Sequence, residues 1–140
     1  MHRIKSKPVQ IPNFSLSCTS KMSTPKPPPT SYESQVQFET YANAKVAKES
    51  SDSDELMKLS TNMAKSVRFW VANNRNTPPE ALDLLSRDKS YTIVAAVAQN
   101  ENTPAATILR LTEDGDSDIS MRAKITHKKQ VIKLIKLWEE

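Results

Sequence analysis

The side chains best suited to chemistry are few and scattered. His2 and Cys18 lie in the first twenty residues, and His127 stands beside Lys128 and Lys129. A metal centre needs three or four His, Cys, Asp or Glu ligands at short, regular spacing, and no such spacing is present. The acidic run Glu113-Asp114-Gly115-Asp116-Ser117-Asp118 has the residue types of a calcium loop. It lacks that loop's twelve-residue ligand pattern and closing Glu, so it reads as a solvated connection. Gly115 is the only glycine, which leaves no glycine-rich phosphate loop and no nucleophile elbow. The expectation is a non-enzymatic protein with no catalytic residues, no metal and no cofactor.

What remains is binding chemistry. The formal charge is +4, and the cations gather at the two ends. Arg3, Lys5, Lys7, Lys21 and Lys26 precede the first acidic residue, Glu33; Arg122, Lys124, Lys128, Lys129, Lys133 and Lys136 lie near the other end. Such ends suit an acidic protein, nucleic acid or an anionic membrane, and equally suit plain solubility. Six of the nine prolines fall within residues 1–29. With no helical or strand period there, residues 1–40 read as a disordered, Pro/Ser/Lys-rich tail. Pro25 and Pro28 have the spacing of an SH3-type ligand, or of a stiff linker. A lone cysteine excludes an internal disulfide. No apolar leader or 18-residue apolar run is present, so the expected location is cytoplasmic.

The elements that would position a binding surface come from an internal repeat. Aligning Val67–Thr92 with Ile93–Asp118, a shift of 26 residues, gives eight identities, among them Val71/Val97, Ala72/Ala98, Asn74/Asn100, Asn76/Asn102, Thr77/Thr103 and Pro78/Pro104. The period fades upstream, where Leu56 and Leu59 match Leu82 and Leu85. It fades downstream too, where Ile119, Ala123, Leu134 and Leu137 match Ile93, Val97, Ile108 and Leu111. About three and a half units between residues 41 and 138 are what a short solenoid with degenerate ends would show. In each unit Thr77 or Thr103 suits a helix N-cap, Pro78 or Pro104 the first helical position, and Glu80 a capping-box partner. Leu82 and Leu85, or Ile108 and Leu111, then share one helical face. His127 falls at the cap position of the last unit, opening a final helix over Lys128–Trp138 with Val131, Leu134 and Leu137 as its core face.

The pattern Val71-Ala72-Asn73-Asn74-Arg75-Asn76-Thr77-Pro78 followed by Leu82 and Leu85, and again Val97–Pro104 followed by Ile108 and Leu111, resembles the leucine-rich repeat variant family. The resemblance covers two units well and two more loosely. It implies an all-α fold, a right-handed solenoid alternating short 3₁₀ helices with α-helices, acting as a scaffold with no particular activity. Some family members hold an iron–sulfur cluster on a separate Cys-rich segment; one cysteine cannot do so. The repeat portion is also similar in style to the lysis-inhibition accessory proteins of T-even phages, a likeness that fits an internal start at Met57 or Met63 better than the long basic tail.

Two features stand out as binding candidates. Phe69 and Trp70 occupy positions held by Ala95 and Ala96 one period later; they fill the wider end of the core or anchor a partner. The final helix carries Ile132, Ile135 and Trp138 where the first unit has Glu80, Asp83 and Ser86, framed by Lys128, Lys129, Lys133 and Lys136. It either closes the open end of the solenoid or docks a protein partner or a second copy. Nucleic acid or an anionic membrane at the basic termini is the alternative.

Overall fold

The computed structural model describes residues 31–140. The Pro-rich segment, Cys18, His2, the basic N-terminal cluster and the Pro-x-x-Pro spacing lie outside the described residues. Seven α-helices follow one another: α1 (Tyr32–Glu49), α2 (Ser53–Leu59), α3 (Lys65–Asn73), α4 (Pro79–Leu85), α5 (Tyr91–Gln99), α6 (Ala105–Thr112) and α7 (Ser117–Trp138). They form two layers. α1, α3, α5 and the first half of α7 stack side by side, while α2, α4 and α6 line up behind them, α6 against α7. The described fold is an all-helical repeat array.

The 26-residue period places side chains of one type at one depth. Val67, Ile93 and Ile119 are buried, as are Val71, Val97 and Ala123, then Leu56, Leu82 and Ile108, and Leu59, Leu85 and Leu111. Ala47, Ala72 and Ala98 sit where stacked helices approach, and their small side chains permit the close contact. One core therefore runs the length of the array, each unit covering the apolar face its neighbour exposes.

Four expectations are corrected. The helical region begins at Tyr32, ahead of residue 41, because Ser31 caps α1 by accepting a hydrogen bond from the Ser34 amide, and Glu33 complements the first turn. The helices preceding the Asn-x-Asn linkers are α, not 3₁₀. Their apolar residues 67 and 71, or 93 and 97, are four apart, a spacing that an α-turn aligns and a 3₁₀ turn does not. Three-residue bonds appear at their ends, from Val67 N to Ala64 O and from Asn74 N to Val71 O, and likewise Ile93 to Ser90 and Asn100 to Val97.

Thr77 and Thr103 do not cap the helices that follow. Pro78 and Pro104 hold the N-cap positions of α4 and α6, one place earlier than expected, and Glu80 makes no return bond to the cap. The two hydroxyls instead turn inward. Thr77 Oγ1 donates to Val71 O at 2.5 Å and Thr103 Oγ1 to Val97 O at 2.7 Å, closing buried carbonyls at the ends of α3 and α5. Each carbonyl also accepts the backbone amide of Asn74 or Asn100, so the hydroxyl is a second donor to a buried oxygen with two lone pairs. Side-chain caps stand elsewhere: Asp52 accepts from the amides of Asp54 and Glu55 to start α2, as Ser31 does for α1 and Asp116 for α7.

The fourth correction concerns the end of the chain. No separate helix begins at Lys128, and His127 caps nothing. α7 runs unbroken from Ser117 to Trp138. Where the earlier units read Asn-x-Asn-Thr-Pro, residues 126–130 read Thr-His-Lys-Lys-Gln. Without the proline, nothing stops the helix or turns it back. Val131, Leu134 and Leu137 consequently stand in solvent rather than in the core.

Candidate functional site

The layer α3, α5 and α7 presents a groove of about 480 Å³, lined chiefly by the polar residues that join successive units. Its floor is held by a ladder of side-chain amides. Asn74 Nδ2 donates to Ala47 O and Ser50 O, both at 2.8 Å, and Asn100 Nδ2 donates to Ala72 O and Asn74 O, both at 2.9 Å. Each amide oxygen then turns back on its own linker, accepting from Asn76 N at 2.8 Å and from Asn102 N at 3.0 Å. One asparagine thus satisfies the carbonyls that end the previous unit and also shapes the turn into the next helix.

The ladder continues into α7 with different side chains. Thr126, one period after Asn100, donates to Ala98 O at 2.7 Å. Ala98 is in turn one period after Ala72. Asn102 Nδ2 bonds Arg75 O and Thr77 O; the equivalent carbonyls one unit on, Glu101 and Thr103, receive Gln130 Nε2 at 3.2 and 2.8 Å. A continuous helix carries its amide four residues beyond Thr126 instead of two, because the turn that would have projected it has gone.

Above this floor stand Asn73, Arg75, Gln99, Glu101, Arg122, Ile125 and Lys129. Asn73, Gln99 and Ile125 are one period apart, as are Arg75 and Glu101. Lys129 Nζ lies 3.8 Å from Glu101 Oε1 in an exposed pair. Arg122 Nε lies 2.6 Å from Asp118 Oδ2, which also accepts from the Tyr91 hydroxyl of α5. The Arg122 hydrogen bond, then that of Tyr91, lowers the Asp118 pKa; the same carboxylate raises Tyr91 and Arg122. Three cations, Arg75, Arg122 and Lys129, to two carboxylates, Glu101 and Asp118, leave the groove net basic by one charge.

The candidate residues divide in two. Phe69 and Trp70 are half-buried against the core, in edge-to-face contact at 5.5 Å, with Lys48 of α1 4.9 Å above the Trp70 ring. They pack against the core where the next unit carries only Ala95 and Ala96, with Trp70 reaching α1. Lys128, Lys129, Ile132, Ile135, Lys136 and Trp138 are all exposed on the overhanging part of α7. Of these Lys129 alone also lines the groove, so the overhang and the groove are two surfaces. The sequence reading had Arg122 only as part of the basic C-terminal cluster and missed Arg75 and Gln99. The signal for them was present: residues flanking the repeated Asn recur at the same period and must share its face.

Elsewhere the polar side chains serve the frame. Arg68 joins Asp88 at 2.7 Å and donates to the carbonyls of Asn62 and Met63, tying two linkers together. Burial pushes the Asp88 carboxyl up. The Arg68 and Ser90 hydrogen bonds, with the Arg68 and Lys65 charges, outweigh this and hold its pKa below the ordinary value of 3.8. In the acidic run, Asp114 accepts from Asp116 N, Asp116 caps α7 and Asp118 holds Arg122. These carboxylates serve turn, cap and ion pair. No group of three or more His, Cys, Asp or Glu among the described residues could hold a metal ion, and no described helix is long and apolar enough to cross a membrane.

A family model for the leucine rich repeat variant matches residues 66–90, one period from the start of α3 to the N-cap of α5. The resemblance is met there, in the segment that carries Val71-Ala72-x-Asn74-x-x-Thr77-Pro78 and its two leucines. No curated protein and no solved structure matches the chain, so the likeness to phage lysis-inhibition proteins finds no support in these comparisons.

Proposed function

We propose that this chain is a non-enzymatic interaction module whose groove across α3, α5 and α7 receives an extended, acidic segment of a protein partner. The groove itself carries the reading: about 480 Å³ of open space spans three successive helices, with Arg75, Arg122 and Lys129 facing Glu101. Stacked helices are about 8–10 Å apart, and an extended chain advances about 3.3 Å per residue. Roughly three residues of a bound strand would therefore pass each unit, and amides or cations spaced one unit apart would meet every third residue. The match of residues 66–90 to a helical repeat family supports a scaffold built for such contacts. The single cysteine suits a reducing, cytoplasmic setting.

Binding to an array of extended octapeptides graded in charge tests this reading. Acidic members should bind, and an Arg75→Glu/Lys129→Glu variant that keeps its helical circular dichroism should lose them. No binding to any member would sink the proposal. Retention on nucleic acid that falls steeply with salt would transfer the groove to that ligand.

A further inference from the structure

We propose that the overhanging end of α7 is a self-association arm, which pairs antiparallel with the same segment of a second copy of this chain. Thr126 is the last buried residue of the helix, and every residue from Val131 to Glu140 is exposed. Val131, Leu134, Ile135 and Trp138 follow one another at intervals of three, one and three, which aligns them in a stripe along one side of the helix. Their exposures are 39%, 60%, 53% and 90%, so the stripe stands largely open among the described residues. A contiguous apolar face of this kind marks an interaction site.

The charges identify the occupant. Lys129, Lys133 and Lys136 lie on the side of the helix away from the stripe, by the same count of residues per turn. Lys128 and Glu139 are three turns apart and lie along a single flank of it. In a two-fold antiparallel pair, a flank faces its own counterpart with the order reversed. Val131 then meets Trp138 and Leu134 meets Ile135 across the axis, and Lys128 of each copy comes within two residues, about 3 Å along the helix, of the level of Glu139 of the other, a gap its long side chain spans. A parallel pair leaves both charges without a counterpart. Residues 1–30 carry cations and no acidic residue, so they could meet Glu139 but would leave Lys128 without a counterpart. An anionic membrane would have to accept Glu139 and Glu140 at the tip.

Sedimentation of the full chain across a concentration series tests the pairing. Wild type should dimerise, and Leu134→Lys/Ile135→Lys should remain monomeric with unchanged helical circular dichroism, since neither side chain is in the core. Lys128→Glu alone, or Glu139→Lys alone, should weaken the dimer roughly tenfold, because the two-fold axis repeats an exposed pair worth up to about a factor of five. The Lys128→Glu/Glu139→Lys double variant should restore it. A chain monomeric at every concentration would overturn the inference, as would a dimer indifferent to the single charge changes or not rescued by the double one. Stripe-dependent binding of a monomeric chain to vesicles containing phosphatidylserine would also overturn it and assign the face to lipid. None of these substitutions alters Arg75 or Arg122, so peptide binding in the groove is scored separately.

Discussion

Replacing Asn100 by Ala should cost about 2–3 kcal/mol of stability, more than any single contact near it suggests. Asn100 is 8% exposed and makes three hydrogen bonds: two from Nδ2, to Ala72 O and Asn74 O, and one at Oδ1, from Asn102 N. A net contribution of about 1 kcal/mol each sums to about 3 kcal/mol. Water entering from the groove would recover part of this for the stranded carbonyls. For a domain of this size, the loss corresponds to a fall of roughly 10–20 °C in Tm. Urea denaturation followed by far-UV circular dichroism measures the difference. Asn100→Asp provides the sharper comparison. It keeps the acceptor for Asn102 N but sets a carboxylate against two carbonyl oxygens, so it should be at least as damaging as Ala. Asn73→Ala, which loses only an exposed bond to Phe69 O within its own helix, should stay within about 0.5 kcal/mol of wild type. The ladder argument fails if Asn100→Ala also stays within about 0.5 kcal/mol, or if Asp proves milder than Ala.

Three further outcomes follow from the same geometry. Thr126→Val, close in shape but without the donor, should destabilise by about 1–2 kcal/mol in the same denaturation assay, since it takes from the buried Ala98 O its side-chain donor, whereas Thr103→Val should cost less, because Val97 O keeps the Asn100 amide. Acid stability should depend on Asp88: its folded pKa lies below 3.8, so the stabilisation is present above that value and is lost as pH falls through the folded pKa. Asp88→Asn should therefore lower stability at neutral pH and flatten its decline below about pH 4 in pH-dependent unfolding. Rewriting residues 126–130 as Asn-Glu-Asn-Thr-Pro should break α7 and let residues 131–138 fold back beside α6. In a Trp70→Phe background, Trp138 would then become less accessible to acrylamide quenching, whereas unchanged quenching would contradict the account of why α7 is continuous.

Local chemistry repeated at a fixed interval is legible from residues alone, and it determined much of this protein. The identities at Val71/Val97, Asn74/Asn100 and Thr77/Thr103 required equivalent environments, and apolar residues three and four apart required helices with one buried face. The all-helical repeat and most of its core follow from these two facts. What only the tertiary structure decided is where each polar group spends its hydrogen bonds. Thr77 precedes a proline like an N-cap, yet its side chain is buried and its hydroxyl joins the Asn74 amide on the carbonyl of Val71, six residues back, because the linker turns it inward. Asn100 reads as a turn residue, and its donors in fact reach into the preceding unit. Leu134 and Leu137 keep the repeat's spacing without its burial: a missing proline at residue 130 lets the helix run straight, carrying that face beyond the described units into solvent. Periodicity reports which residues are equivalent along a helix; the partner each one meets depends on which neighbouring element is there to receive it.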